Sequence, residues 1–538
     1  MKSLKHILFS SSFLSIFLGT IFLFLFKFSS TAQENKTKIY RQNSKITEAF
    51  SIRGFHIDLR IQRMTMPALK NFAKELSDFG INTIVMEWEA SFPYSKHATI
   101  SNKYSYTREQ VKDFISYCDN LGIEVIPLQQ CFGHVEYILQ HSRYKKLRES
   151  EKDISQVCPL EIEGNKDLFT DLFKDMISLH KSKYIHIGGD ETRLLGYCPK
   201  CSAKAEAEGK SKLFADYLAM ICKIVTDEGK VPVVWADIVL KYPETVNQLP
   251  KETIFVDWNY GWDINYFGNI DKLLEKGSNF WGAPSIRSHP DNWYTTDWQK
   301  HFNNQRDFIP YARKSGYKGI VMTSWSTSGV YGFTWDTNNE VIDMHAIRNV
   351  YPLSGFRILI AAYAQSLKQT SPINPESFVI QYAQNRFGFS NSEGKKLWRI
   401  LTTSPKTIKI GDKKDIATLN TVQKEVKEAQ KIMCSLKPKS HRHEFEHLRL
   451  MIDLRLFYLN FKKVESVYES DQYNRETAKE ILPELKKLVK QSRNLNKRFA
   501  ILNKGFLYPE EIEEQNNIRN KKLINIFEIV NNETKKDN

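Results

Sequence analysis

Short apolar runs alternate with stretches of helical periodicity along residues 53–340, and this alternation constrains the fold more than any other feature. Strands that alternate with helices lie parallel in one sheet, because each helix returns the chain to the end where the strand began. Eight such units over this length predict a (β/α)8 barrel. The predicted strands are Gly54–Leu59, Thr83–Glu87, Glu124–Leu128, Tyr184–Ile187, Val231–Ile238, Thr253–Trp258, Asn279–Ala283 and Gly319–Trp325. The predicted helices between them include Met66–Phe79, Thr107–Asn120, Asp167–His180 and Ser211–Glu228.

The sequence changes character after about residue 365. Long charged segments with helical periodicity follow, at Leu419–Ser435, His443–Lys463 and Ala478–Asn503, with almost no strand pattern. A length of 538 residues also favours two domains, because single cores rarely grow past about 250–300 residues. We predict the fold class α/β, with a TIM barrel over residues 51–365 and an α-helical C-terminal domain over residues 366–538 that serves as a scaffold.

The N-terminus has the pattern of an export signal. Lys2 and Lys5 precede an apolar stretch from Ile7 to Phe26, and small and polar residues follow at Ser29–Gln33. The apolar stretch is also long enough to span a bilayer as an uncleaved anchor. We expect a signal peptide or signal anchor over residues 1–32, a linker over residues 33–50, and an exported protein that is extracellular, periplasmic or associated with the cell envelope.

The net charge of +15 raises the question of nucleic-acid binding. The basic residues are spread along the chain and are densest in the C-terminal helical segments, as at Lys437–Arg442, and no recognition motif accompanies them. The charge therefore indicates a solvated basic surface, and no nucleic-acid partner is expected.

Polar and aromatic side chains follow the C-terminal ends of the predicted strands. In a (β/α)8 barrel the active site lies at these ends, whereas the opposite rim serves stability. The position of these residues therefore predicts one active site on this rim. They are Asp58, Arg60, Glu87, Trp88, Glu89, Gln129, Gln130, His134, Asp190, Glu191, Trp235, Asp237, Asp257, Trp258, Asn259, Tyr260, Trp281 and Trp325.

The fourth predicted strand runs into two glycines and two acids, Gly188-Gly189-Asp190-Glu191. Adjacent side chains on a strand point to opposite faces, so two neighbouring acids share a site only where the chain leaves strand geometry. The two glycines permit this departure. An Asp-Glu pair also caps many helices, but the strand-end position and the aromatic surroundings favour catalysis. We expect the charge of Asp190 to raise the pKa of Glu191.

The run His186–Glu191 resembles the signature of family 20 glycoside hydrolases, the β-N-acetylhexosaminidases. Arg53–Asp58 resembles the first strand of that family. Glu87–Tyr94 and Pro127–His134 resemble the second and third strands of its hexosaminidase D-like branch, and the eighth strand ends in Trp325 as the family's does. The resemblance covers roughly residues 50–340, and five segments in the same order are far more specific than any one of them.

The resemblance implies substrate-assisted hydrolysis of glycans that end in N-acetylhexosamine. Glu191 would protonate the leaving oxygen and later act as base, while Asp190 would hold the acetamido N–H and orient its oxygen as nucleophile. Substrate contacts are implied for Arg53, Glu87, His134, Trp235, Trp258, Tyr260 and Trp325. No cofactor and no catalytic metal are predicted.

Two departures from the family pattern concern contacts to sugar hydroxyls. Thr327 stands where many members have an acid two positions after the last Trp, and the second Arg of the first-strand motif falls at Arg60, two positions after Asp58 rather than three. These departures leave the choice between N-acetylglucosamine and N-acetylgalactosamine open. The hexosaminidase D-like pattern slightly favours N-acetylgalactosamine.

Seven cysteines are present, and only Cys198 and Cys201 are closely spaced. A zinc site needs about four ligands, and Cys158 and His186, the other candidates, have no supporting spacing. In an exported protein a short-range disulfide or a local loop staple is the favoured interpretation.

Two alternatives to this function stay open at the level of the sequence. One is a retaining glycosidase with two carboxylates from separate strands, drawn from Glu87, Glu89, Asp237 and Asp257. The other is a glycan-binding barrel without activity, since barrel folds do not fix function.

Overall fold

Eight parallel strands close into a barrel in the computed structural model of the protein. The structure describes residues 50–535, apart from residues 103, 289–295, 327–330, 337–340, 347–349, 407 and 409–412. Strands β1 to β7 pair in chain order, β7 pairs with β9, and β9 pairs with β1 to close the barrel. The strands are β1 (Ile52–Asp58), β2 (Thr83–Glu87), β3 (Glu124–Leu128), β4 (Tyr184–His186), β5 (Val231–Trp235), β6 (Ile254–Trp258), β7 (Asn279–Ala283), β8 (Ser285–Arg287), β9 (Gly319–Ser324), β10 (Tyr331–Asp336) and β11 (Val341–Ala346).

The predicted α/β barrel is confirmed, and the eight predicted runs coincide with β1 to β7 and β9. Strand β8 pairs with the C-terminal end of β9, and β10 and β11 form a separate antiparallel pair. Strand β5 is shorter than predicted, because Asp237 already begins a short helix. Strand β4 ends at His186, one residue early, because Gly188 leaves strand geometry.

Helices surround the barrel and continue to the end of the described chain. In the barrel region they are α1 (Met66–Asp78), α2 (Arg108–Asn120), α3 (Glu136–Leu139), α4 (Ile162–Ile177), α5 (Pro199–Glu208), α6 (Lys210–Asp227), α7 (Asp237–Lys241), α8 (Asp271–Glu275), α9 (Trp298–Lys314) and α10 (Arg357–Lys368). The C-terminal region contains α11 (Pro375–Phe387), α12 (Asn391–Leu401), α13 (Lys413–Ser435), α14 (Arg442–Tyr468), α15 (Arg475–Asn503) and α16 (Pro509–Lys535). The start of α2 shows why these bounds are sharp: Thr107 and Gln110 form a capping box, which satisfies two backbone N–H groups that the helix leaves free.

The interior of the barrel is filled by an apolar cluster of its own, separate from the larger core between the strands and the outer helices. Polar side chains follow it toward the C-terminal ends of the strands, where the register places Asp58 beside Glu87 and where His186 pairs with Leu128 of the cluster. The cluster consists of Val85, Ile126, Leu128, Val233, Trp235, Ile254, Val256, Trp281, Ala283 and Val321.

The C-terminal helices pack on the loop that follows β1. Met64 forms a β-bridge with Leu507, and the buried side chains of Arg63 and Glu511 form an ion pair. This loop begins directly after Asp58, at the rim where the active site was predicted. The helical region thus packs against the chain at this rim, and all described residues belong to one compact unit.

The predicted domain boundary at residue 365 falls inside helix α10. Tyr363 of that helix is fully buried, and its hydroxyl lies 2.8 Å from the carbonyl oxygen of Gly54 and 3.1 Å from that of Ile320. Helix α10 therefore secures β1 and β9, the two strands that close the barrel.

The predicted signal segment and most of the predicted linker, residues 1–49, lie outside the described residues, as does Thr327. Within the part of the chain that the structure describes, no helix is both long and apolar enough to cross a membrane.

We expect Tyr363→Phe to lower the free energy of unfolding by about 1–2 kcal/mol, because it removes the hydroxyl that serves two buried carbonyl oxygens. Denaturant titration followed by circular dichroism measures this change. Tyr266, which is 67% exposed, provides the control, and Tyr266→Phe should change stability by less than about 0.5 kcal/mol. Equal effects of the two substitutions would contradict the anchoring role of the hydroxyl.

Candidate active site

The chain leaves β4 through a left-handed backbone segment that presents both acids on one side. Gly188 and Gly189 have φ angles of +70° and +89°, and Glu191 has a φ of +47°. A Cβ atom on Gly188 would lie 1.9 Å from Oε1 of Gln130, so this close approach of two strand ends requires glycine. This collision, together with the positive φ angles, explains why the chain needs glycines where it leaves β4.

His134 lies between the two predicted catalytic acids. Its Nε2 atom is 3.4 Å from Oδ2 of Asp190 and 3.2 Å from Oε2 of Glu191. The loop after β3 reaches this far because Gly133 packs against the chain at Asp190, where a Cβ atom would lie 2.5 Å from the carbonyl oxygen of Asp190. Arg193 pairs with the other oxygen of Glu191 at 2.9 Å, through a guanidinium that is mostly exposed.

The contact with His134 reverses the pKa shift expected for Glu191. Burial of Glu191 by itself raises its pKa, but the hydrogen bond and positive charge of His134, together with Arg193, outweigh burial and lower the pKa to about 2. Burial lowers the pKa of His134, yet the charge of Asp190 and the hydrogen bonds to both acids raise it well above the usual range. The expectation of a raised Glu191 pKa is therefore wrong for the free protein, in which the proton resides on His134.

Asp190 has one carboxylate oxygen that no described residue satisfies. Oδ2 faces His134, whereas Oδ1 is buried and has no hydrogen-bond partner among the described residues. A buried acceptor without a partner is costly, so it marks a position where a ligand donor would be bound favourably.

Asp237, the first residue of helix α7 and two positions after β5, accepts two hydrogen bonds that hold the site together. Its Oδ2 accepts the backbone N–H of Glu191 at 3.1 Å, and its Oδ1 accepts the indole N–H of Trp258 at 3.3 Å. Burial, reinforced by the charge of Asp190, raises the pKa of Asp237 to about 7. Asp237 thus links the position of Glu191 to that of an aromatic side chain on the next strand.

Three of the predicted aromatic side chains form one connected wall. The indole N–H of Trp325 donates to the hydroxyl of Tyr260 at 2.9 Å, and the Tyr260 ring lies 5.3 Å from that of Trp258. Trp262, which the sequence did not single out, extends the wall at 5.1 Å from Tyr260. The guanidinium of Arg60 lies 5.2 Å from the Trp325 ring.

Three predicted substrate contacts lie elsewhere. Arg53 stands at the start of β1, at the opposite rim, where its guanidinium donates to the carbonyl oxygens of Gly80 and Phe50. That prediction is wrong because Arg53 precedes the C-terminal end of β1 by five residues, about 16 Å of extended chain. The pairing with Asp58 places Arg60 at the correct rim instead, and its position after a strand-end acid was the signal for it.

The other two, Glu87 and Trp235, belong to the floor beneath the acids. Glu87 is fully buried, with Oε2 at 2.9 Å from Nε2 of His56 and Oε1 accepting the amide of Gln130 at 3.1 Å. Trp235 is 1% exposed and its ring lies 4.3 Å from that of His186. Both side chains are buried in this floor, and their contact with substrate stays a prediction.

The cysteine prediction also needs correction. All seven cysteines, each within the described residues, are free thiols in the structure, so Cys198 and Cys201 do not form a disulfide. Cys158 lies next to them although no sequence spacing pointed to it. His186, the other candidate ligand, lies in the barrel floor and accepts the N–H of Gly188.

Comparison with known proteins identifies the family of this chain. The model of the catalytic domain of glycosyl hydrolase family 20 matches residues 55–350, more than half of the chain. The chain belongs to glycosyl hydrolase family 20. It is therefore a glycoside hydrolase, and residues 351–538 lie beyond the matched region.

Proteins similar to this chain include two that are named hexosaminidase D and a solved β-N-acetylhexosaminidase. Hexosaminidase D of Bos taurus is 25% identical over 291 residues, which cover 51% of this chain and 84% of the relative. Hexosaminidase D of Homo sapiens is 24% identical over 294 residues, 51% of this chain and 60% of the relative. Among solved structures, the β-N-acetylhexosaminidase from Bacteroides fragilis NCTC 9343 has 18% identity and a TM-score of 0.47, covering 65% of this chain and 70% of that one.

We expect Gly188→Ala to lower kcat/KM by about 10²-fold, because the added Cβ displaces a strand end that positions the acids. Gln130 cannot move aside freely, since it is buried and bonded to Glu87. Kinetics on an activated aryl glycoside and thermal unfolding measure the two effects.

Gly229 provides a matched control for this substitution. It has the same φ of +70°, but an added Cβ would meet nothing within 4 Å. Gly229→Ala should therefore cost only the strain of a left-handed residue, about 1–2 kcal/mol, and leave kcat/KM unchanged. Similar loss of activity in both variants would refute the collision as the cause.

Proposed function

We propose that the protein is an exo-acting, retaining β-N-acetylhexosaminidase that removes terminal β-linked N-acetylhexosamine by substrate-assisted catalysis. The observation that carries the proposal is the pair of adjacent acids with unequal surroundings: Oδ1 of Asp190 is buried without a hydrogen-bond partner among the described residues, and Oε2 of Glu191 lies 3.2 Å from Nε2 of His134. The hexosaminidase names of the relatives support the substrate class.

The free oxygen of Asp190 suits the N–H of a 2-acetamido group. Oδ1 is buried and accepts nothing from the described residues, so an amide donor from the substrate would satisfy it. Holding that N–H turns the acetamido oxygen toward the anomeric carbon. This oxygen attacks, the glycosidic C–O bond breaks, and an oxazolinium intermediate forms; water then opens it with net retention.

Glu191 delivers and recovers the proton through its contact with His134. The pair holds one proton across a distance of 3.2 Å, so its titration belongs to both groups. A bound sugar excludes water, which disfavours the charged forms and shifts the proton toward Glu191. Glu191 then protonates the leaving oxygen, and in the second step its carboxylate takes a proton from the attacking water.

The rival with two separate carboxylates is less well supported. Asp257 points away from the acids, because it accepts the hydroxyl of Tyr317 at 2.9 Å beside the outer helices. Glu87 is bound to His56, and Asp237 already accepts two hydrogen bonds. Glu89, the fourth candidate, lies 3.7 Å from Arg60, and burial raises its pKa well above the usual range, which favours its protonated form. These contacts disfavour each of the four carboxylates as a nucleophile facing Glu191.

The aromatic wall fits the apolar parts of the proposed ligand. Trp258, Tyr260 and Trp325 offer ring faces to a pyranose and to the acetamido methyl group. We propose N-acetylgalactosamine as the preferred terminal sugar and N-acetylglucosamine as the second substrate. The ligand partner is thus a glycan or glycoconjugate with a terminal N-acetylhexosamine.

We expect the purified protein to hydrolyse aryl β-N-acetylgalactosaminide, aryl β-N-acetylglucosaminide or both, and not aryl β-glucoside. Replacing the acetamido hydrogens by fluorine should slow turnover progressively, because fluorine withdraws electrons from the attacking oxygen. Glu191→Gln should lower kcat/KM by about 10²–10⁴-fold, the usual contribution of general acid catalysis. Release of the aryl alcohol measures all of these rates.

Asp257→Asn is the matched control for Glu191→Gln, since it neutralises a buried carboxyl that lies outside the proposed machinery. It should keep full activity. Equal turnover of the glucoside, or rates that do not respond to fluorine, would exclude substrate assistance.

We further propose export of the chain, on the strength of the signal pattern in residues 1–32. Residues 1–50 fused to a phosphatase that folds only outside the cytoplasm should yield active reporter in bacterial cells. Leu18→Arg, which interrupts the apolar stretch, should abolish that activity. Active reporter in both fusions, or in neither, would contradict the signal.

A further inference from the structure

Three cysteines and one glutamate converge beside the active-site loops. One ligand atom from each of Glu149, Cys158, Cys198 and Cys201 lies within 4.8 Å of every other. The Sγ atom of Cys158 is 3.7 Å from that of Cys198 and 3.5 Å from that of Cys201. Cys158 and Cys201 are buried, and Cys198 is partly exposed.

These distances match the edges of a metal-centred tetrahedron. With Zn–S bonds of about 2.3 Å, two sulfur ligands of a tetrahedral zinc ion lie about 3.8 Å apart. Sulfur atoms in a disulfide are only about 2.05 Å apart. The cluster thus has the spacing of thiolate ligands around one ion rather than that of any bonded pair.

The local fold orients the sulfur ligands before any ion is bound. Cys198 is the N-cap of helix α5, and its Sγ accepts the backbone N–H of Cys201 at 3.4 Å. Pro199 occupies the first turn, where its fixed φ suits a helix start. An antiparallel bridge between Arg148 and Val157 brings the preceding loop alongside.

Glu149 supplies the fourth ligand and an independent sign that a cation belongs here. Its Oε1 accepts the backbone N–H groups of Tyr197 and Cys198 at 2.8 and 2.9 Å, which fixes the carboxylate. Its Oε2 is buried and has no hydrogen-bond partner among the described residues. A buried carboxylate oxygen without a donor, next to three thiols, is suited to coordinate a metal ion.

We propose that Glu149, Cys158, Cys198 and Cys201 bind one structural zinc ion. Three thiolates select a thiophilic ion over magnesium or calcium, which prefer oxygen ligands. Four protein ligands fill a tetrahedral shell and leave no open position for water or substrate, so the ion is structural and not catalytic. The N–H groups at the start of α5 offset part of the ligands' negative charge.

The ion would join the two loops that carry the active-site acids and His134. Glu149 and Cys158 lie between α3 and α4, downstream of His134, and Cys198 and Cys201 lie on the segment that follows Glu191. The two segments already meet where Oε1 of Gln156 accepts the N–H of Leu194 at 2.9 Å. Zinc would fix this junction, and the inference stands independently of the substrate proposed above.

The test begins with the full-length protein purified without chelators. Elemental analysis should find one zinc ion per chain, and intact mass under denaturing conditions should show seven reduced cysteines. Cys158→Ser and Cys201→Ser should lose the ion. Cys434→Ser, an exposed thiol outside the cluster, should retain it.

A second measurement covers the case in which a cysteine variant fails to fold. Wild-type protein loaded with Co²⁺ should show the visible ligand-field bands and the thiolate charge-transfer absorption of a tetrahedral cobalt site. Glu149→Gln, which keeps the hydrogen bonds to Oε1, should weaken these bands and lose metal to a lower chelator concentration. Wild-type protein that binds neither ion, or whose mass is lower by the two hydrogens lost in a disulfide among these cysteines, would overturn the proposal.

Discussion

The close approach of the ends of β3 and β4 is the constraint on which the active site depends. It requires residues without side chains at both contacts, since a Cβ atom would collide with Gln130 at Gly188 and with the backbone of Asp190 at Gly133. Only at this separation does the imidazole of His134 reach both acids. The protonation of the site therefore follows from backbone packing, and neither acid has its properties by virtue of its sequence neighbours alone.

The guanidinium of Arg60 determines which of the other buried acids at this rim are charged. Asp58, Glu87 and Glu89 are buried within reach of a single guanidinium, that of Arg60. Burial raises the pKa of Asp58, but Arg60 outweighs it and lowers the pKa to about 2. Burial prevails at Glu89, whose pKa is raised well above its usual range despite Arg60. A buried charge is stable only with a partner, so Asp58 stays ionised beside Arg60, whereas the protonated form of Glu89 is favoured.

Periodicity was enough to predict the barrel, and the glycines were enough to predict where β4 ends and the two acids begin. Both signals are local: alternation of strand and helix fixes the parallel sheet, and the glycines mark where β4 ends. Arg53 was assigned to the wrong rim because it is the first residue of the motif and therefore stands at the N-terminal end of β1. Arg60 satisfies the same chemistry from the correct rim.

Properties that depend on two distant loops could not be predicted. The pKa of Glu191 is set by His134, which arrives from the loop after β3, and no local rule gives that contact. Cys158 meets Cys198 and Cys201 for the same reason, since a bridge between Arg148 and Val157 turns its loop toward helix α5. The contact of His134 with Glu191 and the contacts of Cys158 could not be predicted for the same reason. The sequence specifies each loop, but the junction between the loops exists only once the barrel has brought β3 and β4 side by side. In the proposed mechanism that junction also holds the reactive proton, so the position of the loops and the acidity of Glu191 are controlled by one and the same contact.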